Sequence, residues 1–97
     1  MRVISRKTLR IYWKKHNDSE DVLKIWYKRV EKAKWKNLSF LKKDFQSVDF
    51  IGNDRYVFNI KGNNYRLIAK IDFDYQLVFI RFIGTHSEYD KINAKTI

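Results

Sequence analysis

The stretch Tyr56-Val57-Phe58-Asn59-Ile60-Lys61-Gly62-Asn63-Asn64-Tyr65-Arg66-Leu67-Ile68-Ala69-Lys70-Ile71-Asp72 reads as two strands joined by a turn. Aromatic and branched side chains run through both arms, and Gly62-Asn63-Asn64 punctuates them. Downstream, Phe73-Asp74 marks a second turn and Tyr75 to Ile83 a further long strand. Upstream, Gly52-Asn53-Asp54 is a turn preceded by a short strand, Val48 to Ile51. The first half of the chain has helical period instead. Ser5 caps a helix that ends near His16, with Leu9, Tyr12 and Trp13 on one side. Asp18 caps a second, with Glu20 and Asp21 in its positive first turn and Val22, Ile25, Trp26, Val30 and Ala33 at helical spacing. Asn37 or Ser39 starts a short third helix ending near Phe45, and His86 to Ile92 forms a last helical turn. The fold class is therefore α+β: N-terminal helices packed on an antiparallel β-sheet meander, with a short C-terminal helix.

Register then places the cations. A two-residue loop at Asn63-Asn64 sets Lys61 opposite Arg66, and one at Phe73-Asp74 sets Arg66 opposite Arg81. One face collects Tyr56, Phe58, Ile60, Tyr65, Leu67, Ala69, Ile71, Val78, Ile80 and Phe82, which is the core face. The other collects Asn59, Lys61, Arg66, Lys70 and Arg81, with Val57, Ile68, Phe79 and Ile83 between them. Like charges opposite one another on a sheet are unfavourable. Either an anion relieves them, or Glu88, Asp90 or a helix carboxylate neutralises them internally.

Composition narrows the partners. The chain has 97 residues, no proline and no boundary or repeat, so residues 1–97 read as one domain. Lys and Arg outnumber Asp and Glu by 21 to 11, a net charge of +10 that favours a polyanion or an acidic protein. The absence of cysteine excludes disulfides and thiolate metal sites, and two histidines alone make a zinc site improbable. No apolar run is long enough to span a bilayer and no signal peptide opens the chain, so no membrane role and a cytoplasmic location are expected.

Chemistry concentrates in Ile83-Gly84-Thr85-His86-Ser87-Glu88-Tyr89-Asp90-Lys91. An imidazole, a phenol, carboxylates and a lysine follow a strand carrying Arg81, while Lys61, Arg66 and Lys70 come from the strands before it. Such groups bind a phosphate, move a proton and steady a developing anion, as RNA cleavage without a metal requires.

Two long strings sharpen this reading. Val57-Phe58-Asn59-Ile60-Lys61-Gly62-Asn63-Asn64-Tyr65-Arg66-Leu67 and Phe79-Ile80-Arg81-Phe82-Ile83-Gly84-Thr85-His86-Ser87-Glu88-Tyr89-Asp90 resemble the HigB-type toxins of bacterial toxin–antitoxin pairs, within the RelE-like superfamily. So do Met1-Arg2-Val3-Ile4-Ser5 and Asp49-Phe50-Ile51-Gly52-Asn53, and the similarity covers almost the whole chain. The resemblance implies a RelE-like microbial ribonuclease fold and an endonuclease acting on mRNA engaged with the ribosome, with no cofactor or metal. It also implies a cognate HigA-type helix-turn-helix antitoxin, through which operator DNA is bound only indirectly.

In that mechanism the ribose 2′-hydroxyl attacks the adjacent phosphate and the 5′-oxygen leaves. Arg66 and Arg81 match the family's strand arginines and stabilise the transition state; Lys61 orients the phosphate or activates the hydroxyl. His86 is either a general acid or base or merely a capping residue; Tyr89 stacks a base, holds the phosphate or only packs; Asp90 orients His86 or caps. Asn59, Lys70, Phe79 and Asp90 complete the expected substrate contacts. His16 and the tryptophans Trp13, Trp26 and Trp35 read as structural, and the helical lysines as a solvated surface able to rest on ribosomal RNA. Rival readings are a non-catalytic RNA-binding module and a degenerate toxin acting only in a repressor complex.

Overall fold

The computed structural model describes residues 1–97. Strand β1 (Arg2–Ile4) leads into α1 (Arg6–Lys15), a 3-10 turn (Asn17–Ser19), α2 (Glu20–Lys32) and α3 (Leu38–Asp44). Then come β2 (Asp49–Gly52), β3 (Arg55–Ile60), β4 (Tyr65–Asp72), β5 (Leu77–Thr85) and α4 (His86–Asp90). The expected α+β arrangement is present. One strand was not foreseen: β1 joins β5 in parallel, giving the sheet order β1-β5-β4-β3-β2. With only three residues and a charged first position, β1 offers too little alternation to be read as a strand.

Local chemistry explains the helices. The Ser5 side chain accepts from the Lys7 N–H at 3.2 Å, and the Asn37 side chain accepts from the Phe40 N–H at 3.2 Å, so both end donors are satisfied. Asp18 does not cap α2; it sits in the 3-10 turn and turns its carboxylate to Tyr65 and Lys61. Helix α2 instead buries Leu23, Trp26 and Val30, a 3–4 spacing that leaves Ile25 exposed, against expectation. Leu9 and Trp13 of α1 join them, and the helices cover one face of the sheet. Trp26 and Phe45 both meet Phe58 edge-on, at 5.3 and 5.2 Å between ring centroids. All three tryptophans are core residues, and His16 stacks on Tyr12 at the end of α1.

The sheet departs from the expected register in a way that matters for the site. Lys61 and Gly62 both take positive φ, so the loop runs from Lys61 to Asn64 and Ile60 pairs with Tyr65. Arg66 therefore faces Asn59, not Lys61. The next loop also widens: Asp72 accepts from the Tyr75 N–H, Gln76 takes positive φ, and Asp72 pairs with Leu77. These slips are by two residues and preserve the faces. A β-bulge does not. Ala69 pairs with Ile80 but Ile68 with Phe82, leaving Arg81 without a partner. Beyond it Phe82 moves to the outer face and Ile83 to the core face, reversing both assignments, and Arg66 faces Gly84 instead of Arg81.

Candidate active site

The outer end of β4 and β5 carries the chemistry. Arg66 lies opposite Gly84, which has no side chain to block it, and reaches α4. Its Nη2 lies 3.2 Å from His86 Nε2, and its guanidinium sits over the Tyr89 ring, 4.8 Å from the centroid. His86 Nδ1 lies 3.2 Å from an Asp90 carboxylate oxygen, a spacing that one helical turn supplies. An arginine only donates, so Nε2 accepts and Nδ1 carries the proton that goes to Asp90. Arg66, His86 and Asp90 thus form one line, with Tyr89 beneath the arginine. His86 is the one hydrogen-bond partner of the Arg66 guanidinium; the Arg66 Nε–H is buried and unpaired, and the remaining Nη donors are left to grip an anion. His86 and Asp90 are open to solvent, so substrate has access.

A second network on the other side of the sheet holds this line in place. Helix α4 has only five residues and is not stable alone. Thr85 and Glu88 close a capping box at its start: the Thr85 N–H donates to Glu88 Oε1 at 2.8 Å and the Glu88 N–H to Thr85 Oγ1 at 3.2 Å. Tyr12 of α1 also donates its hydroxyl to Glu88 Oε1, at 3.3 Å, tying α4 to the helical layer. Backbone hydrogen bonding from Thr85 holds the Glu88 carboxyl below the usual carboxylate range, while burial and then Glu88 raise Tyr12. Nearby, Tyr65 donates to Asp18 at 2.5 Å and Lys61 Nζ to the other Asp18 oxygen at 3.0 Å. The Tyr65 bond depresses Asp18, and the same bond pushes Tyr65 up to about 12. Lys61 is therefore neutralised beside the helices and does not join Arg66, because its positive-φ loop position takes it out of the strand.

The remaining residues are spread along the outer face. Asn59 flanks Arg66. Lys70 and Phe79 pair at the far end of the sheet, next to Arg55. Arg81, in the bulge, donates from Nε to the main-chain oxygen of Ile97 at 3.2 Å. The cationic triad of Lys61, Arg66 and Arg81 expected from the simple register does not form.

A protein-family model described as "HigB_toxin, RelE-like toxic component of a toxin-antitoxin system" matches residues 19–92. The chain belongs to the HigB toxin family. It is 32% identical over 96 residues to the mRNA interferase toxin HigB of Escherichia coli (strain K12), covering 97% of this chain and 92% of that protein. The same figures hold for an mRNA interferase HigB of Shigella flexneri. A second Escherichia coli protein of that name, from O6:H1, is 28% identical over 94 residues, 95% of this chain. As a HigB-family toxin the chain has an antitoxin for a partner. No helix is long and apolar enough to cross a membrane.

Two residues around this HigB site escaped the sequence reading, Tyr12 and Glu88 as a tie and not only a charge, and so did Arg55 at the far end of the sheet. The Thr85-x-x-Glu88 spacing signals a capping box and was available. Nothing local links Tyr12 to Glu88, 76 positions away, or marks Arg55 as buried.

Proposed function

We propose that this toxin is an mRNA endoribonuclease acting on messages engaged with the ribosome, and that it cuts by metal-independent transesterification. The observation that carries the reading is the Arg66–His86–Asp90 line over Tyr89, standing open to solvent in a chain of the HigB family. The ribose 2′-hydroxyl attacks phosphorus, the bond to the 5′-oxygen breaks and that oxygen takes a proton from solvent water, and a 2′,3′-cyclic phosphate and a 5′-hydroxyl result. Arg66 turns its free donors to the phosphate and stabilises the charge that builds there. As it does so it releases His86 Nε2, which takes the 2′-hydroxyl proton, while Asp90 holds the ring and steadies the imidazolium. Tyr89 supports the Arg66 plane and offers a ring edge to a base. Asn59 contacts the strand beside Arg66, and Lys70 and Phe79 receive nucleotides further along the sheet. The whole of residues 1–97 serves as one domain in the cytoplasm. Its inhibitor is a HigA-type helix-turn-helix antitoxin, which carries the pair to operator DNA.

The test is purified protein with ribosomes programmed by end-labelled mRNA. Wild type yields fragments with 5′-hydroxyl ends, and Arg66→Ala lowers the rate by roughly 10²- to 10³-fold. Fragments with 5′-phosphate ends, or undiminished cutting by Arg66→Ala, would refute the mechanism. Binding with no cutting by wild type would favour the non-catalytic module.

A further inference from the structure

Helix α2 and the loop after α3 enclose a cavity of about 470 Å3, and none of Arg66, His86, Tyr89 or Asp90 borders it. Val22, Ile25, Trp26, Phe45 and Ile60 give it apolar walls. Val22, Ile25, Trp26 and Arg29 recur every three or four residues, so they form one stripe along α2. That stripe lacks partners. Ile25 is 58% exposed, more than any other large aliphatic side chain. The Trp26 indole N–H is buried with nothing to bond, whereas that of Trp35 donates to Asp44 Oδ2 at 2.7 Å. An unpaired buried donor costs free energy that an acceptor recovers. Arg29 lays its guanidinium over the Phe45 ring, 4.2 Å from the centroid, and donates to the Asp44 carbonyl, but no carboxylate pairs with it. Lys32 lies in the last turn of α2, and Lys42 and Lys43 in the last turn of α3, so the rim is cationic.

We propose that this cavity is the docking site for a segment of the antitoxin that carries an apolar side chain beside an Asp or Glu. The apolar side chain fills the cavity against Ile25 and Trp26, and an oxygen of the segment accepts from the Trp26 indole. The carboxylate pairs with Arg29, whose planar fork suits it. A tryptophan in an apolar pocket with an arginine at its rim is the kind of cluster in which interface energy concentrates. Charge decides between occupants. A second copy of this chain would bring its own +10, and a nucleic-acid strand has no aliphatic side chain for the stripe; an acidic protein segment satisfies both halves. Family membership supplies the antitoxin, and the nuclease reading is not needed. Asn59 also borders the cavity, so the seated segment stands next to the residue that pairs with Arg66 in the sheet.

The test is a calorimetric titration of the full chain with its purified antitoxin, together with 15N spectra of the labelled toxin free and bound. Ile25→Glu keeps the fold, since the position is exposed, but sets a carboxylate where the acidic segment must lie. It should weaken binding by roughly 30-fold or more. Ile25→Lys loses the same apolar contact and keeps the favourable charge, so it should lose only about three- to fivefold. The Trp26 indole 15N–H signal should shift on binding. An Ile25→Glu affinity within about threefold of wild type, or a Trp26 signal that stays put in the complex, would overturn the site. Equal losses for the two variants would overturn an acidic occupant. Self-association of the free toxin that Ile25→Glu abolishes, with antitoxin affinity unchanged, would give the face to a second copy instead. Both variants should cut RNA as wild type does when free. Because the titration needs neither RNA nor ribosomes, failure here is separable from failure to cut.

Discussion

The chemistry rests on few atoms. Arg66 has one polar partner, and that partner is the imidazole it positions. Lys61, by contrast, is committed to Asp18. Lys61→Ala should therefore change cleavage by less than about threefold, against the roughly 10²-fold loss for Arg66→Ala in the same assay. Tyr12 acts at one remove. Tyr12→Phe keeps the ring that stacks on His16 but removes the hydroxyl that ties Glu88. We expect turnover at saturating substrate to fall roughly tenfold with KM little changed, and the His86 15N shifts to move from the Nδ1–H form toward a tautomer average. Unchanged shifts and turnover would leave Tyr12 a packing residue only. The Tyr65–Asp18 bond predicts a pH signature with opposite signs at its two ends. Asp18 and Glu88 have depressed folded values, so the stability they contribute is present above about pH 4 and is lost as pH falls through those values. Tyr65 is raised to about 12, so its contribution is present below its ordinary value of 10.0 and is lost between there and about 12. Asp18→Asn should flatten both limbs of a plot of Tm against pH; limbs as steep as wild type would contradict this assignment.

At the level of elements, α4 and the β5 bulge set where the site stands. A Cβ on Gly84 would lie 2.5 Å from the Phe82 ring and 3.2 Å from Glu88 Cβ. Gly84→Ala should destabilise by about 1–3 kcal/mol in denaturant unfolding, and a shorter side chain in Gly84→Ala with Phe82→Leu should recover part of it. Existence and order of the helices and antiparallel strands were legible because period and caps are local: Ser5, Asn37 and the Thr85 box are readable in a few residues. The bulge at Arg81 was not, since it is one extra residue in an apolar run with no glycine to announce it. Nor was the Lys61–Asn64 loop, whose positive φ falls on Lys61 and Gly62 and not on the two asparagines. From these two features alone, the expected Lys61–Arg66–Arg81 triad dissolves. Arg66 is left with His86, Tyr89 and Asp90, whose grouping was legible in the sequence because they share one short helix.

For the whole molecule, a charge of +10 on 97 residues makes binding to RNA strongly electrostatic. Affinity for a single strand should fall log-linearly with salt at a slope of about −0.7 per phosphate neutralised, and Arg66→Gln should reduce the magnitude of that slope by about 0.7. The helical layer buries its aromatic side against the sheet and leaves its lysines in water. One face of the sheet thus holds the fold while the other carries the site. The most direct measurement is a map of mRNA 5′ ends in cells after brief induction without antitoxin, with wild type beside Arg66→Ala. New 5′-hydroxyl ends inside translated frames, absent with the folded variant, are the expected result. No new ends with folded wild type, or the same ends with Arg66→Ala, would contradict a ribosome-linked nuclease centred on Arg66 and His86.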